Sequence, residues 1–376
     1  MRFVATCLFG LEKLLGQEIE ALGCKRESTI DGRVIFEGGI EDIPRLNINL
    51  RYAERVYILL GTFPAASFTE LFDKTVKLPF ADFIGRDDAF PVKGHSIKSK
   101  LYSVPDCQSI VKKAAVEAMK SVYGISYFQE TGEKYQIEFF ILKDEASVMI
   151  DTSGTTLHKR GYRPVSNDAP LRETLAAGLC KIANLWEDNV FWDPMCGSGT
   201  IAIEAAMLMT DTAPGLNRGF AAEAYPFIPE SAWKMAREEA RDRIKRDSRF
   251  EAYATDIDPA CVDIARENIK RAGMENYIKC RVMNALDAKA CNRRGTVICN
   301  PPYGERLMTV KEAEELYAEM GKAFSRLEGW HIYVITAHDG FERLYRRRAD
   351  RVRKLYNGMI KCNYYQFFKD NTRGKK

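Results

Sequence analysis

The chain has 376 residues, 46% of them hydrophobic and 29% charged, with a formal net charge of +4. That length allows two or three domains, each with a core of its own. The small charge excludes a global polyanion-binding field, so any nucleic-acid partner must meet a local basic patch.

The ten cysteines contain no C-x-x-C pair and do not cluster with the four histidines, which predicts no metal site and buried thiols in a reducing cytosol. The apolar start, Phe3–Phe9, meets Glu12 and Lys13 at once, too soon for an export signal. No run approaches ~18 apolar residues, so no membrane span is expected and the protein reads as cytoplasmic.

In chain order, Phe3–Phe9 is extended, Leu11, Leu14, Leu15, Ile19 and Leu22 have helical spacing, and Arg33–Phe36 and Arg55–Leu60 are extended again. Residues 1–64 form a small α+β module on this reading. A helix after Ser67, a strand at Phe90–Lys98, a helix at Asp106–Tyr123 and two strands, Tyr135–Leu142 and Ala146–Asp151, give a second module over 65–155. The basic segment His158–Pro164 breaks the pattern, and 156–169 is read as a linker.

From residue 170 to 376 the pattern is strand and helix in alternation. A helix covers 170–184. Strands fall at Val190–Trp192, Glu251–Thr255, Ile278–Met283, Thr296–Cys299 and Ile332–Thr336, with helices from Thr200 and over Pro259–Ala272. This spacing predicts an α/β domain with a mostly parallel sheet. Thr212–Pro229 reads as a loop, Glu230–Arg249 and Arg343–Lys354 as charged helices, and Val352–Asn357 with Asn363–Phe368 as a terminal hairpin across Gly358.

Asp193-Pro194-Met195-Cys196-Gly197-Ser198-Gly199-Thr200 joins a strand to a helix, and its glycines allow a tight turn with backbone close to a ligand. An ordinary strand-to-helix turn is the plain alternative. The next strand ends in Thr255-Asp256-Ile257-Asp258. Asp256 offers a carboxylate for two ribose hydroxyls, while Asp258 before Pro259 reads as a helix cap. These features suit an adenosine at the carboxyl ends of the strands but leave nicotinamide and S-adenosylmethionine both open.

Asn300-Pro301-Pro302-Tyr303 follows the apolar run Thr296–Cys299. A rigid Asn-Pro-Pro turn can aim the Asn300 carbonyl and a proline carbonyl at one planar NH2 group while Tyr303 stacks on the base that carries it. A dehydrogenase has no need of such a turn; an amino-methyltransferase does.

Taken together, Asp193–Thr200, Asp256 and Asn300–Tyr303 resemble class I S-adenosylmethionine-dependent methyltransferases acting on exocyclic amines. The longer string through Gly304-Glu305-Arg306, with Leu157–Arg163 and Pro170–Ala177, resembles the THUMP-domain ribosomal RNA guanine-N2 methyltransferases. The resemblance covers nearly the whole chain. It implies a Rossmann-like methyltransferase domain preceded by ferredoxin-like and THUMP modules. It further implies transfer to guanine N2 in RNA, with 23S ribosomal RNA as substrate, S-adenosylmethionine as donor and S-adenosylhomocysteine as product.

By the same resemblance Arg172, Ile257 and Ala285 join the cofactor residues, with Asn284 or Asp287 near the adenine. RNA contacts fall on Lys93, His95, Lys98, Lys100, Lys159 and Arg160, and the run Arg346, Arg347 and Arg348 is a second candidate phosphate patch. Transfer RNA guanine, adenine N6 in DNA or RNA, and a non-catalytic RNA-binding or assembly protein are the alternatives.

Overall fold

The computed structural model describes residues 1–164, 171–289, 293–302 and 309–369. Two compact units emerge: Met1–Thr6, Gly16–Leu157 and Gly219–Glu238 form one, and Cys7–Leu15, His158–Arg218 and the chain from Glu239 form the other.

The first unit is built on β1 (Arg2–Cys7), β2 (Lys25–Ile30), β3 (Arg33–Glu37), α2 (Asp42–Asn49) and β4 (Ala53–Pro64), with α1 (Glu12–Ala21) divided between the two residue sets after Leu15. α3 (Phe68–Thr75), β5 (Val92–Ile97), α4 (Val104–Tyr123), β6 (Ile137–Leu142) and β7 (Glu145–Asp151) follow. The two expected modules share one seven-stranded sheet, ordered β2-β3-β1-β4-β7-β6-β5. The long strand β4 makes the join, pairing antiparallel with β7 from Tyr57 opposite Asp151 to Pro64 opposite Glu145. Sequence spacing alone missed β2, whose residues are mostly exposed, because a strand with no buried face has no period-2 apolar signal.

Gly219–Glu238, read from sequence as part of the C-terminal domain, packs with this first unit for a visible reason. Tyr225 stacks on Tyr135 at 4.2 Å between ring centroids, and its hydroxyl donates to the Asp151 carbonyl at 2.7 Å. Phe227 meets Phe83 edge-on at 5.4 Å.

The second unit contains α5 (Glu173–Ala183), β8 (Val190–Asp193), α6 (Thr200–Met209), β9 (Glu251–Asp256), α8 (Pro259–Arg271), β10 (Ile278–Val282) and β11 (Gly295–Cys299). α7 (Glu230–Asp242) crosses the boundary between the two residue sets. α9 (Val310–Phe324), β12 (His331–Thr336), α10 (Phe341–Tyr345), β13 (Arg351–Asn357) and β14 (Ile360–Phe367) complete it. The strand order is β10-β9-β8-β11-β12-β14-β13. β10, β9, β8, β11 and β12 run parallel, and β14 and β13 close the sheet antiparallel. The chain moves from β8 outward to β10 and then returns to β11 on the other side of β8, a topological switch point of the kind that binds ligands at strand carboxyl ends.

One expected helix is absent. Arg343–Lys354 is not helical throughout: α10 stops at Tyr345, Arg346 turns left-handed at φ 57°, and Arg351 already belongs to β13. Leu355 explains the strand, since it is fully buried in the sheet that β14 presents. Among the described residues no helix is long and apolar enough to cross a membrane.

Candidate functional site

Four parallel strands deliver the sequence-predicted residues to one edge: Asp193 ends β8, Asp256 ends β9, Asn284 follows β10 and Asn300 follows β11. The glycine loop is folded tightly against that edge. Cys196 N donates to the Thr255 carbonyl at 2.9 Å and Gly199 N to the Cys196 carbonyl at 2.8 Å. Gly199 sits at φ +81° beside α8, where a Cβ would come within 3.2 Å of Ala265, so both the backbone angle and the close approach favour glycine. Asn268 on α8 fixes the loop further, its amide donating to the Ser198 carbonyl at 2.9 Å. Ser198 and Thr200 are buried, with their hydroxyls 3.2 Å apart, and Pro194 is buried beside them.

Asp256 ties the two strand ends together. One carboxylate oxygen accepts from Gly197 N at 2.8 Å and the other from Asp258 N at 3.1 Å. Each oxygen keeps a further lone pair for a ligand hydroxyl. Asp258 caps α8 by accepting from Ala260 N at 2.9 Å, as its place before Pro259 predicts. Ile257 between them is 67% exposed.

Asp193 is fully buried, and among the described residues neither carboxylate oxygen meets a donor in good hydrogen-bond geometry. Burial, and after it the Asp256 carboxylate, push its pKa well above the usual range, with the Met195 amide opposing. A buried acceptor left without a donor is costly in isolation and fits a site completed by a ligand. The Cys196 thiol is also pushed up, through a hydrogen bond shared with Cys280 and through burial.

Asn284 caps the short turn Ala285–Asp287, its side-chain carbonyl accepting from Leu286 N at 3.0 Å. Ala285 is buried and Asp287 exposed. Arg172 precedes α5, and its N–H donates to the Asn357 side chain at 3.4 Å.

Of the turn expected to recognise an amine, Asn300, Pro301 and Pro302 are described; Tyr303 and Gly304-Glu305-Arg306 lie outside the described residues. Asn300 is half-buried and Pro301 buried. The Pro302 carbonyl accepts from the Tyr317 hydroxyl at 2.9 Å, and the same hydroxyl lies 3.0 Å from the Thr336 hydroxyl. Tyr317 is fully buried on α9. Sequence reasoning missed it, although a capping box at Thr309 and Glu312 announces that helix. Arg163 was missed as well. It donates to the Thr200 hydroxyl at 2.8 Å and the Leu171 carbonyl at 2.9 Å, and pairs with Glu173 at 3.0 Å, so it braces the start of α6.

The candidate RNA residues divide. Lys93, His95, Lys98 and Lys100 are exposed on and just after the edge strand β5, and Lys159 is exposed. Arg160 is a correction: it is 4% exposed, with its guanidinium 3.3 Å from buried Glu204, which also accepts from the Tyr162 hydroxyl at 3.0 Å. A carboxylate buried on α6 needs a countercharge, and Arg160 supplies it inside the fold rather than at the surface. Arg346 and Arg348 are exposed, whereas Arg347 donates to the Lys369 carbonyl at 2.7 Å and lies over the Phe367 ring.

A doubly wound sheet with a glycine loop after its first strand, an acidic second strand end and an Asn-Pro-Pro turn after the fourth defines a class I S-adenosylmethionine-dependent methyltransferase. Comparison with known proteins narrows this. Residues 160–366 match the RMKL-like methyltransferase domain family, residues 2–57 the RlmL ferredoxin-like domain and residues 65–151 the THUMP domain. The chain belongs to the RMKL-like methyltransferase family.

Among its relatives is "Putative RNA methyltransferase YpsC" of Bacillus subtilis (strain 168), 44% identical over 97% of this chain and 95% of that protein. The Ribosomal RNA large subunit methyltransferase K/L of Psychromonas ingrahamii is 30% identical over 94% of this chain, which spans only 48% of that longer protein. A crystal structure of a possible methylase from Clostridium difficile 630 superposes with a TM-score of 0.95, at 44% identity and 98% coverage of both chains. The crystal structure of "SMU.472, a putative methyltransferase complexed with SAH" superposes at 0.92 with 40% identity and 98% coverage of both chains.

Proposed function

We propose that this chain methylates the exocyclic N2 amine of a guanine in RNA, with large-subunit ribosomal RNA as substrate, in the cytoplasm. The observation that carries the reading is the meeting of the Asn300-Pro301-Pro302 turn with the Asp193 and Asp256 strand ends at one sheet edge. The THUMP match and the RNA methyltransferase relatives support RNA as the polymer. The Gly304-Glu305-Arg306 extension supports guanine N2 through its family resemblance.

In this reading S-adenosylmethionine supplies an electrophilic methyl group. Asp256 accepts its ribose hydroxyls, the Asp193 carboxylate and the Cys196–Thr200 loop hold its amino-acid end, and Ile257, Asn284, Ala285 and Asp287 border the adenine. Arg172 closes the site from the start of α5.

An aromatic amine is a weak nucleophile because its lone pair is delocalised into the ring. The Asn300 side-chain carbonyl and the Pro301 carbonyl accept its two hydrogens and favour a more tetrahedral nitrogen, while Tyr303 stacks on the base. Positioning then does most of the catalysis, and no strong base is needed before transfer. Extruding a base from a helix costs a few kcal/mol; Lys93, His95, Lys98 and Lys100 offset it through remote binding.

The test is to incubate the protein with labelled S-adenosylmethionine and unmodified ribosomal RNA, transfer RNA or DNA, and identify the methylated nucleoside by mass spectrometry. N2-methylguanosine from ribosomal RNA is expected. In parallel, Asn300→Ala should bind S-adenosylhomocysteine as the wild type does by calorimetry but lose about two or more orders of magnitude in transfer. N6-methyladenosine as sole product would overturn the guanine assignment. That outcome would favour the adenine reading suggested by a 42% identical Listeria monocytogenes structure described as a predicted N6-adenine-specific DNA methylase.

A further inference from the structure

The β13–β14 hairpin extends past the edge of the sheet that carries the site. β14 runs antiparallel to β12 with Asn363 opposite Thr336, the last residue of β12. Ile360–Cys362 and the Asn357-Gly358-Met359 turn therefore project beyond the carboxyl ends of the parallel strands, by roughly 10 Å at about 3.3 Å per residue. The tip is anchored there, because the Asn357 side chain accepts from Arg172 N.

Met359 at the tip is 96% exposed. Below it Lys361 pairs with Tyr356, and Lys354 lies two residues earlier on β13. The alternation of strand side chains puts both lysines and Tyr356 on one face, and both lysines are exposed. Phe9, 50% exposed, packs edge-on against Tyr356 at 5.6 Å. Gly10 makes that possible: at φ +94° a Cβ would lie 2.9 Å from the Lys354 carbonyl oxygen and 2.8 Å from the Leu355 side chain. Residues 351–368 contain four cationic side chains and no acidic one.

We infer that this face holds the single-stranded RNA next to the target nucleotide. Lys354 and Lys361 take its phosphates, and an unpaired neighbouring base rests on Phe9 and Met359. Cations interleaved with half-exposed rings are what a sequence-tolerant single-strand surface requires, and a base extruded toward Asn300 leaves its neighbours unstacked. Arg346–Arg348 are not part of this face, because they lie beyond the far end of β13, about 20 Å from the tip at this rise per residue. The inference rests on the RNA methyltransferase reading.

The test uses the full chain saturated with S-adenosylhomocysteine and a fluorescein-labelled single-stranded RNA of about 12 nucleotides. Binding is followed by anisotropy over a salt series for wild type, K354A/K361A and F9A/M359A, with folding checked by thermal melts. Each variant should bind about tenfold more weakly, with S-adenosylhomocysteine affinity unchanged by calorimetry. For the lysine pair the slope of log affinity against log salt should flatten by about 1.4, two phosphate contacts on a single strand. Wild-type affinity and slope in both variants would overturn the proposal. So would loss of a dimer in the variants with RNA binding intact, which would assign the face to a second copy of the chain. Transfer assays separate the two readings. Methylation of ribosomal RNA by wild type and variants with equal kcat/KM sinks the surface alone. No methylation by the wild type sinks the methyltransferase reading, and the binding series then decides the surface by itself.

Discussion

At the scale of the residue, Tyr317 is the most consequential side chain outside the glycine loop and the amine turn. Its hydroxyl takes the Pro302 carbonyl out of play and ties it to Thr336, leaving the Pro301 carbonyl as the proline acceptor in the proposed chemistry. Removing the hydroxyl leaves a partly buried carbonyl short of its donor, at about 1 kcal/mol. It also frees the turn to shift, and a displacement of about 1 Å at a reacting centre can cost as much as 100-fold. Tyr317→Phe should therefore lower kcat at least about tenfold while the KM for S-adenosylmethionine stays within about twofold. An unchanged kcat would show that the anchor does not position the turn. Residues for which a chemical role is proposed stand out in the sequence because they sit in short strings with fixed spacing, as at Asp193–Thr200. Tyr317 and Arg163 do not, because their roles arise from contacts across 15 and 37 residues of chain.

At the scale of the element, β9 is fastened at its start as well as at its functional end. Glu251 accepts from Lys279 on β10 at 2.8 Å, from the Tyr253 hydroxyl at 2.8 Å and from Arg293 ahead of β11. These hydrogen bonds, Lys279 first, lower its pKa to about 2. A carboxylate with a depressed folded pKa stabilises the fold above its unfolded pKa of about 4.3, and that contribution disappears as pH falls through about 2. Glu251→Gln should accordingly cost about 1–2 kcal/mol at pH 7 and no more than about 0.4 kcal/mol near pH 2, after allowance for solvent screening. Urea unfolding at both pH values measures it, and an equal cost at both would refute the charge-based account.

Buried parallel strands were readable from their apolar runs, β8 and β11 above all. The stretch Arg346–Arg351 was not, because a row of arginines carries no periodicity to separate helix from strand, although Val352–Asn357 just beyond it reads as a strand of the terminal hairpin. Only the buried Leu355 and the left-handed Arg346 decide it.

At the scale of the molecule, the first unit is completed by a stretch of chain that sequence order assigns elsewhere. No local pattern could reveal that Tyr225 covers Tyr135, since 90 residues separate them and aromatic pairing leaves no periodic trace. The fragment Met1–Leu157 expressed alone should therefore melt at a lower temperature and more broadly than the corresponding transition of the full chain, with Phe83 and Tyr135 stripped of their partners. Circular dichroism melts would show it. A sharp transition at the full-chain midpoint would mean that Gly219–Glu238 adds no stability.

That returning segment also orders events on the ribosome. Translation runs from the amino terminus, so the strands of the first sheet leave the exit tunnel long before Tyr225 and Phe227 do. By the time the last piece of the first unit emerges, the glycine loop and α6 have already been made. The nascent chain must therefore carry its first sheet with an aromatic face uncovered while a good part of the methyltransferase segment is synthesised. Neither unit can finish as an independent early product, and a pause or truncation between residues 157 and 219 would leave both incomplete.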